Sequence, residues 1–367
     1  TPNILLGSYQ GGPAVGFNAL RRTLYEHYMP RLGTERPEPP VSWNSWFQIG
    51  NGITEELLRP QIDIAAAMGV EYFCVDGGWF EGDFPMGVGN WVADPKKFPQ
   101  GFGPLGQYIA SKGMKMGLWF EPERVAPGTR LLREHPEWIH KNLLDLGNKE
   151  ARKWAFQMMS GFIKEGNVGW IRIDFNMDPL PSWEEMDAEN RRGMAQIAHV
   201  EGLYALEDRL RAAFPGLLIE NCASGGRRID LEMIKRSHTY WKSDQTYLVP
   251  VMRFHETGGN CFLPGGLLNA NLLGIDQTPF NIHSLFGGPL GFGIDWVKLS
   301  EPLREQTRQQ IALYKQVRPL LNKDYYALFP QARNQAGWTG WQFHDPKADE
   351  GFVVILRPAE STYEKAS

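Results

Sequence analysis

Two stretches of this chain end in a carboxylate at the point where a buried strand would stop. Trp170-Ile171-Arg172-Ile173-Asp174-Phe175-Asn176 is mostly large, apolar or β-favouring up to its acid, and Thr239-Tyr240-Trp241-Lys242-Ser243-Asp244 closes the same way. Cleaving an acetal takes one carboxylate to attack or stabilise the anomeric carbon and one carboxylic acid to protonate the leaving oxygen. Asp174 is the candidate nucleophile and Asp244 the candidate proton donor. A retaining pair stands about 5–5.5 Å apart and an inverting pair about 6.5–9.5 Å, spacings that two strands of one barrel rim can supply. Burial and the charge on Asp174 are expected to keep Asp244 neutral, with Trp241 as an apolar wall.

Positioning such a pair calls for a parallel sheet with crossover helices, and short β-rich runs do alternate with longer amphipathic ones. Strands are expected at Val41 to Phe47, Glu71 to Asp76, Lys115 to Glu121, Gly169 to Phe175, Leu217 to Asn221, Tyr240 to Asp244, near Cys261 to Pro264, and Gly288 to Ile294. That number closes a (β/α)8 barrel, whose chemistry sits at the C-terminal strand ends. Asp76, Glu121, Asp174, Asn221 and Asp244 all fall there. Any one strand-end acid can be a helix cap, but five polar ends at one mouth are poorly explained as five caps. Between the strands, Thr54 and Asn148 read as N-caps of helices running to Met68 and Glu165, and Asp187 to Ala213 reads as the longest helix.

The resulting α/β organisation is a linker and helical segment (1–40), the (β/α)8 barrel (41–321) and the start of a small antiparallel β domain (322–367), with Ala19 to Tyr28 as the first helix. After Leu321, Trp338 to Trp341 and Gly351 to Leu356 read as antiparallel strands around the turn residues Asp345-Pro346 and Asp349-Glu350-Gly351. The first residue is not Met and the last stretch has no closing element, which suggests a partial chain.

With 367 residues and a net charge of −4 there is room for a large core and no basic excess for nucleic acid or anionic lipid. No apolar run reaches membrane-spanning length, so no membrane partner is expected. Thirteen Trp and forty Gly suit a cleft in which aromatic faces stack on sugars. Cys74, Cys222 and Cys261 are odd in number and have no ligand spacing, so neither a disulfide framework nor a zinc site is indicated, and they fit a reducing, cytoplasmic compartment.

Several runs, taken together and in order, carry a family resemblance: Trp43-Asn44-Ser45-Trp46, Asp76-Gly77-Gly78-Trp79-Phe80, Gly117-Leu118-Trp119-Phe120-Glu121-Pro122-Glu123, His135-Pro136-Glu137-Trp138, Arg172-Ile173-Asp174-Phe175-Asn176, Asn221-Cys222-Ala223-Ser224-Gly225-Gly226 and Ser243-Asp244. In this order they resemble the melibiase-type α-galactosidases of glycoside hydrolase family 36, clan D. The resemblance implies a (β/α)8 barrel, double displacement with retention, no metal and no redox cofactor. It puts the nucleophile on Asp174 and the acid/base on Asp244, and sugar contacts on Trp46, Asp76, Trp119, Arg172, Asn176, Cys222 and the Gly225-Gly226 backbone. The implied substrate is an oligosaccharide or glycoconjugate with a terminal α-linked galactose or related sugar, and a homo-oligomer is compatible with it.

The chain departs from the family pattern at the groups that read hydroxyls. Gly77 stands where a second aspartate is usual, Arg172 where lysine is usual, and Tyr247 where a further aspartate is frequent. After Trp138 the chain passes through Ile139-His140-Lys141-Asn142 without the family's longer insert. Losing hydroxyl readers changes substrate preference more readily than reaction type. An α-N-acetylgalactosaminidase or another α-glycosidase, a transglycosylase on the same scaffold, and a non-catalytic carbohydrate-binding relative therefore remain open. Glu121 and Glu123 are rival acids at one strand end, which Pro122 marks as architectural.

Overall fold

The computed structural model describes residues 4–245, 248–272, 276–331 and 337–362, so Tyr247 lies outside the described residues. Eight parallel strands close a barrel in chain order: β1 (Val41–Asn44), β2 (Tyr72–Val75), β3 (Lys115–Phe120), β4 (Val168–Ile173), β5 (Leu218–Asn221), β6 (Thr239–Trp241), β7 (Leu268–Leu272) and β8 (Leu290–Phe292). A three-stranded antiparallel sheet follows, of β9 (Asp324–Ala327), β10 (Thr339–Asp345) and β11 (Glu350–Leu356). Both the barrel and the small antiparallel sheet agree with the sequence pattern.

The chain divides into two compact units, Asn44–Asp63 with Tyr72–Arg228, and Thr1–Trp43 with Ile64–Glu71 and Ile229–Ser367. In the first, β4 is buried along its whole length, as a strand covered on both faces should be. Its neighbours are in register as Trp119↔Arg172 and Phe120↔Ile173 on one side and Arg172↔Glu220 and Ile173↔Asn221 on the other. The β3–β4 register shifts between Met116 and Gly117. Gly117 is required beside that irregularity, since a Cβ there would lie 2.3 Å from Cys74 Sγ.

Helix α1 (Lys149–Glu165) begins where expected, with Asn148 Oδ1 accepting from the amides of Glu150 at 2.9 Å and Ala151 at 3.4 Å. The expected long helix from Asp187 starts later, as α2 (Met194–Ala213), and a separate short helix, Leu180–Met186, precedes Asp187. Asp187 caps rather than continues: its carboxylate accepts from the amides of Gly193 and Ala195, and Gly193 has φ 87°. Residues 139–144 form a tight hairpin of Ile139–His140 and Leu143–Leu144, turned by Lys141 and Asn142 at φ 43° and 71°.

In the second unit the strand expected near Cys261 to Pro264 is absent. Those residues follow the helix Val249–Gly259, and the strand is Leu268–Leu272, whose Asn269 and Asn271 hide its β character. The first helix starts earlier than expected, at Pro13, which sits at the first helical position, and runs to Thr23 before a π-helical turn over Leu24–Tyr28. Arg21 of this helix is fully buried. Its guanidinium donates to the carbonyls of Asn260 at 2.6 Å, Leu321 at 3.0 Å, Lys323 at 2.9 Å and Leu263. Replacing it by Met (Arg21→Met) leaves these buried acceptors unpaired and should cost about 3 kcal/mol or more in a urea unfolding curve. A loss below about 1 kcal/mol would mean the carbonyls find other donors.

Candidate active site

The register of the first unit builds the site by itself. Register partners in a parallel sheet share a face, and residues two apart along a strand share it too. Trp119, Arg172 and Glu220 therefore form one row, with Asp76 one step past Val75↔Leu118 at the same level. One layer further along, Glu121 and Asp174 extend β3 and β4 on that face, and Cys222 extends β5. These residues are buried.

Contacts follow from the rows. Arg172 stands 3.7 Å from both Asp76 Oδ2 and Glu220 Oε2, and its Nη2 lies 3.6 Å from Cys222 Sγ. Asp76 also accepts from Asn44 Nδ2 at 2.6 Å and from the Gly77 amide at 2.8 Å, while its own amide donates to Ser45 Oγ at 2.9 Å. Asp174 receives the Trp119 indole N–H at 3.2 Å on Oδ2, and the amides of Phe175 at 2.8 Å and Ser224 at 3.4 Å on Oδ1.

Burial pushes the Asp174 carboxyl up, but the Arg172 charge, helped by hydrogen bonds from Asn176, Cys222 and the Phe175 amide, outweighs it and holds the group below its ordinary value. Asp76, next to the same guanidinium, ends on the other side: burial wins over Arg172 and Asn44 and raises it. Glu121 goes furthest, pushed by burial and then by the Asp174 charge to about 8. The face thus carries one carboxylate held in its charged form, beside an acid that keeps its proton at neutral pH.

The loop after β5 is shaped for Asp174. Ser224 at φ 48° and Gly225 at φ 91° reverse the chain, the Ala223 amide donates to the Gly225 carbonyl at 2.8 Å, and the Gly225 amide reaches Cys222 Sγ at 3.5 Å. Ser224 Oγ donates to Asn176 Oδ1 at 3.0 Å. Phe175 and Ala223 pack with Leu143 of the short hairpin and, less deeply buried, with Trp183 and Met177, which backs the residues that follow Asp174 and Cys222. Trp46 is half-buried, edge-on to Phe84 at 5.2 Å. A Cβ on Gly77 would lie 3.6 Å from the Trp46 ring and 3.8 Å from that of Trp119, so this glycine leaves a shelf bordered by two indoles. Trp79 is structural, its indole donating to the Trp119 carbonyl at 3.0 Å.

Of the expected site residues, Asp76, Trp119, Arg172, Asp174, Asn176, Cys222 and the Gly225 loop, with Gly226 bridged to Ala223, belong to this one unit and are joined by these contacts. Asn221 is a correction: it aligns with Ile173 on the opposite face and donates to Glu207 of α2 at 3.2 Å. Glu123 likewise turns away, to His199 and Arg228 at 2.8 Å each. Sequence reasoning left out Asn44, Glu220 and Ser224. Glu220 stands two residues before Cys222 and so shares its face, a signal that alternation alone could have supplied.

Asp244 belongs to the other unit, just past β6. Its Oδ1 accepts from the Trp241 indole N–H at 3.0 Å, and the residue is exposed. Both points revise the expectation of a buried acid against an apolar wall, since Trp241 presents its polar edge.

Removing the guanidinium tests the electrostatic account. Arg172→Met should move the Asp174 carboxyl upward in a carbon-13 carboxyl NMR titration and cost about 3–5 kcal/mol, because it leaves buried carboxylates without their counter-charge. An unmoved or lowered Asp174 would refute the assignment of Arg172 as its main stabiliser.

Comparison with known proteins points the same way. The chain is 29% identical over 369 residues to alpha-galactosidase 1 of Pediococcus pentosaceus, covering 93% of this chain and 50% of that protein. It is 28% identical over 369 residues to alpha-galactosidase AgaA of Geobacillus stearothermophilus, again covering 93% and 50%. The solved alpha-galactosidase from Lactobacillus brevis superposes with a TM-score of 0.82 at 28% identity, over 91% of this chain and 48% of the other. A variant of AgaA in complex with 1-deoxygalactonojirimycin gives 0.84 at 25% identity, over 94% and 51%. The chain thus spans about half the length of these relatives. Because the Melibiase family model matches residues 2–324, most of the sequence, this chain belongs to the melibiase family.

Proposed function

We propose that this chain is the catalytic part of a retaining α-galactosidase, releasing terminal α-linked galactose from oligosaccharides or glycoconjugates. The observation that carries the reading is the state of Asp174. It is a buried carboxylate kept charged by Arg172, oriented by an indole and two amides, at the strand end where barrel enzymes do chemistry. A nucleophile that stays ionised below the ordinary aspartate range suits attack on an acetal that is being protonated. The alpha-galactosidase relatives support the substrate class.

In this reading a carboxylate oxygen of Asp174 bonds to the anomeric carbon from the β face while the bond to the leaving oxygen breaks and the Asp244 carboxyl supplies its proton. The product is a β-galactosyl ester on Asp174 and a carboxylate on Asp244. Asp244 then takes a proton from water, whose oxygen attacks the anomeric carbon from the α face and frees Asp174. Two inversions give net retention. Asp76 and Arg172 serve as hydroxyl readers, and Trp46 and Trp119 border the apolar side of the sugar. The free cysteines suit a reducing compartment.

Asp174→Gly should abolish turnover of p-nitrophenyl α-galactoside and recover it with azide, yielding the β-galactosyl azide, because the small anion occupies the vacated face. An α-azide product would assign the attack to another residue. For Asp244→Ala, activated phenyl leaving groups should lose at least about tenfold less rate than natural sugars, within the 10²–10⁴-fold typical of general acid catalysis. Equal losses on both substrates would remove Asp244 from the acid/base role.

A further inference from the structure

Glu121 is buried, lies across from Asp174 on neighbouring strands, and has no part in the mechanism above. Its Oε1 accepts the Asn176 amide, and its Oε2 is buried with no hydrogen-bond partner. Arg124, whose Nη1 lies 3.9 Å from that Oε2, donates to the Asn176 carbonyl at 3.4 Å. The two side chains therefore grip residue 176 by its amide and its carbonyl. Asn176 in turn accepts from Ser224 Oγ, and the Ser224 amide donates to Asp174 Oδ1.

We propose that Glu121, with Arg124, is a positioning residue for Asp174: by clamping the backbone of Asn176 it fixes the chain leaving β4 and, through Ser224, the direction in which the attacking carboxylate points. The inference rests on the reading of Asp174 as nucleophile and adds a residue that never touches substrate.

The clamp works with Glu121 as a neutral acid. Like charges directly opposite one another on neighbouring strands repel. The charged and titratable groups facing Glu121 are Asp174 from β4 and Arg124 from the loop after β3. Asp174 has an indole, two amides, the Asn176 and Cys222 side chains and Arg172 to stabilise its charge; Glu121 has one amide, the Asn176 side chain and a guanidinium at 3.9 Å. The proton stays on Glu121, consistent with a carboxyl raised by burial and by Asp174 to about 8. Oε1 accepts the amide while Oε2 carries the proton. When the group ionises, a second negative charge faces Asp174 and draws Arg124 from the Asn176 carbonyl, and the clamp loosens.

The decisive comparison uses Glu121→Leu and Glu121→Gln in the full chain. Leucine removes the acceptor and should lower kcat on an activated aryl α-galactoside by about 100-fold with little change in KM, the cost of a misaligned attacking group. Glutamine keeps a neutral acceptor and should recover most of that loss. Equal kcat for the two variants would overturn the clamp.

The pH arm is read in an Asp244→Ala background, where proton donation no longer contributes. There kcat/KM should fall on the alkaline side between about pH 7 and 10, and adding Glu121→Gln should remove the fall. A profile that is flat before Glu121→Gln is added overturns the proposal.

A third readout is independent of turnover. Infrared difference spectra should contain a carboxylic-acid carbonyl band that disappears as pH rises through about 8. The band should be absent from Glu121→Gln, and a wild-type protein without it refutes the neutral acid. If the wild type cleaves no α-galactoside while the band is present, the reaction assignment fails and the proton on Glu121 stands.

Discussion

A guanidinium set among carboxylates is the interaction on which the rest of the site depends. Asp76, Asp174, Glu121 and Glu220 are buried on one face of adjacent strands, an arrangement whose desolvation cost would be prohibitive without a counter-charge. Arg172 supplies it from the middle of the array, with a fork that reaches Asp76 and Glu220 at equal distance. An ammonium group at the same place would be a point charge without that planar reach. The number of other donors around each acid then decides its protonation. Asp174, with an indole, two amides, contacts from Asn176 and Cys222 and the Arg172 charge, is lowered; Glu121, with the Asn176 amide and side chain and a more distant arginine, is raised.

The backbone around this array is built to keep those donors in place. Gly117 lets β3 approach Cys74 closely, and the left-handed residues Ser224 and Gly225 turn an amide toward Asp174. After Trp138, the six-residue hairpin 139–144 places Leu143 against Phe175 and Ala223. The residues that follow Asp174 and Cys222 are thereby packed.

Much of this was legible in the sequence, because a two-residue period by itself puts Arg172 with Asp174 and Trp119 with Glu121 on common faces. Register was not legible, since nothing local aligns one strand with the next. Asn221 and Glu220 are both polar and adjacent; alternation from Cys222 puts the glutamate on its face, and the pairing of Arg172 with Glu220 shows which strand residue it meets. The seventh strand was misplaced because Asn269 and Asn271 dilute its β signal, and the long helix starts only at Met194 because the carboxylate of Asp187 caps amides six and eight residues on.

Asp244, the proposed acid/base, sits at its strand end without burial. Its strand end is fixed by Lys242, whose ammonium is held by Glu256 at 2.5 Å and by the carbonyls of Leu268 and Asn269 at 3.2 Å each, so the lysine charge is already neutralised by its own partner. The Trp241 indole donates to one carboxyl oxygen only. An indole N–H can donate equally to the unprotonated oxygen of an acid or to an oxygen of a carboxylate. In the proposed mechanism the same carboxyl group gives a proton in the first displacement and takes one in the second. An exposed group that exchanges its proton once per half-reaction gains from such a donor, because the donor fixes orientation without favouring either step through burial.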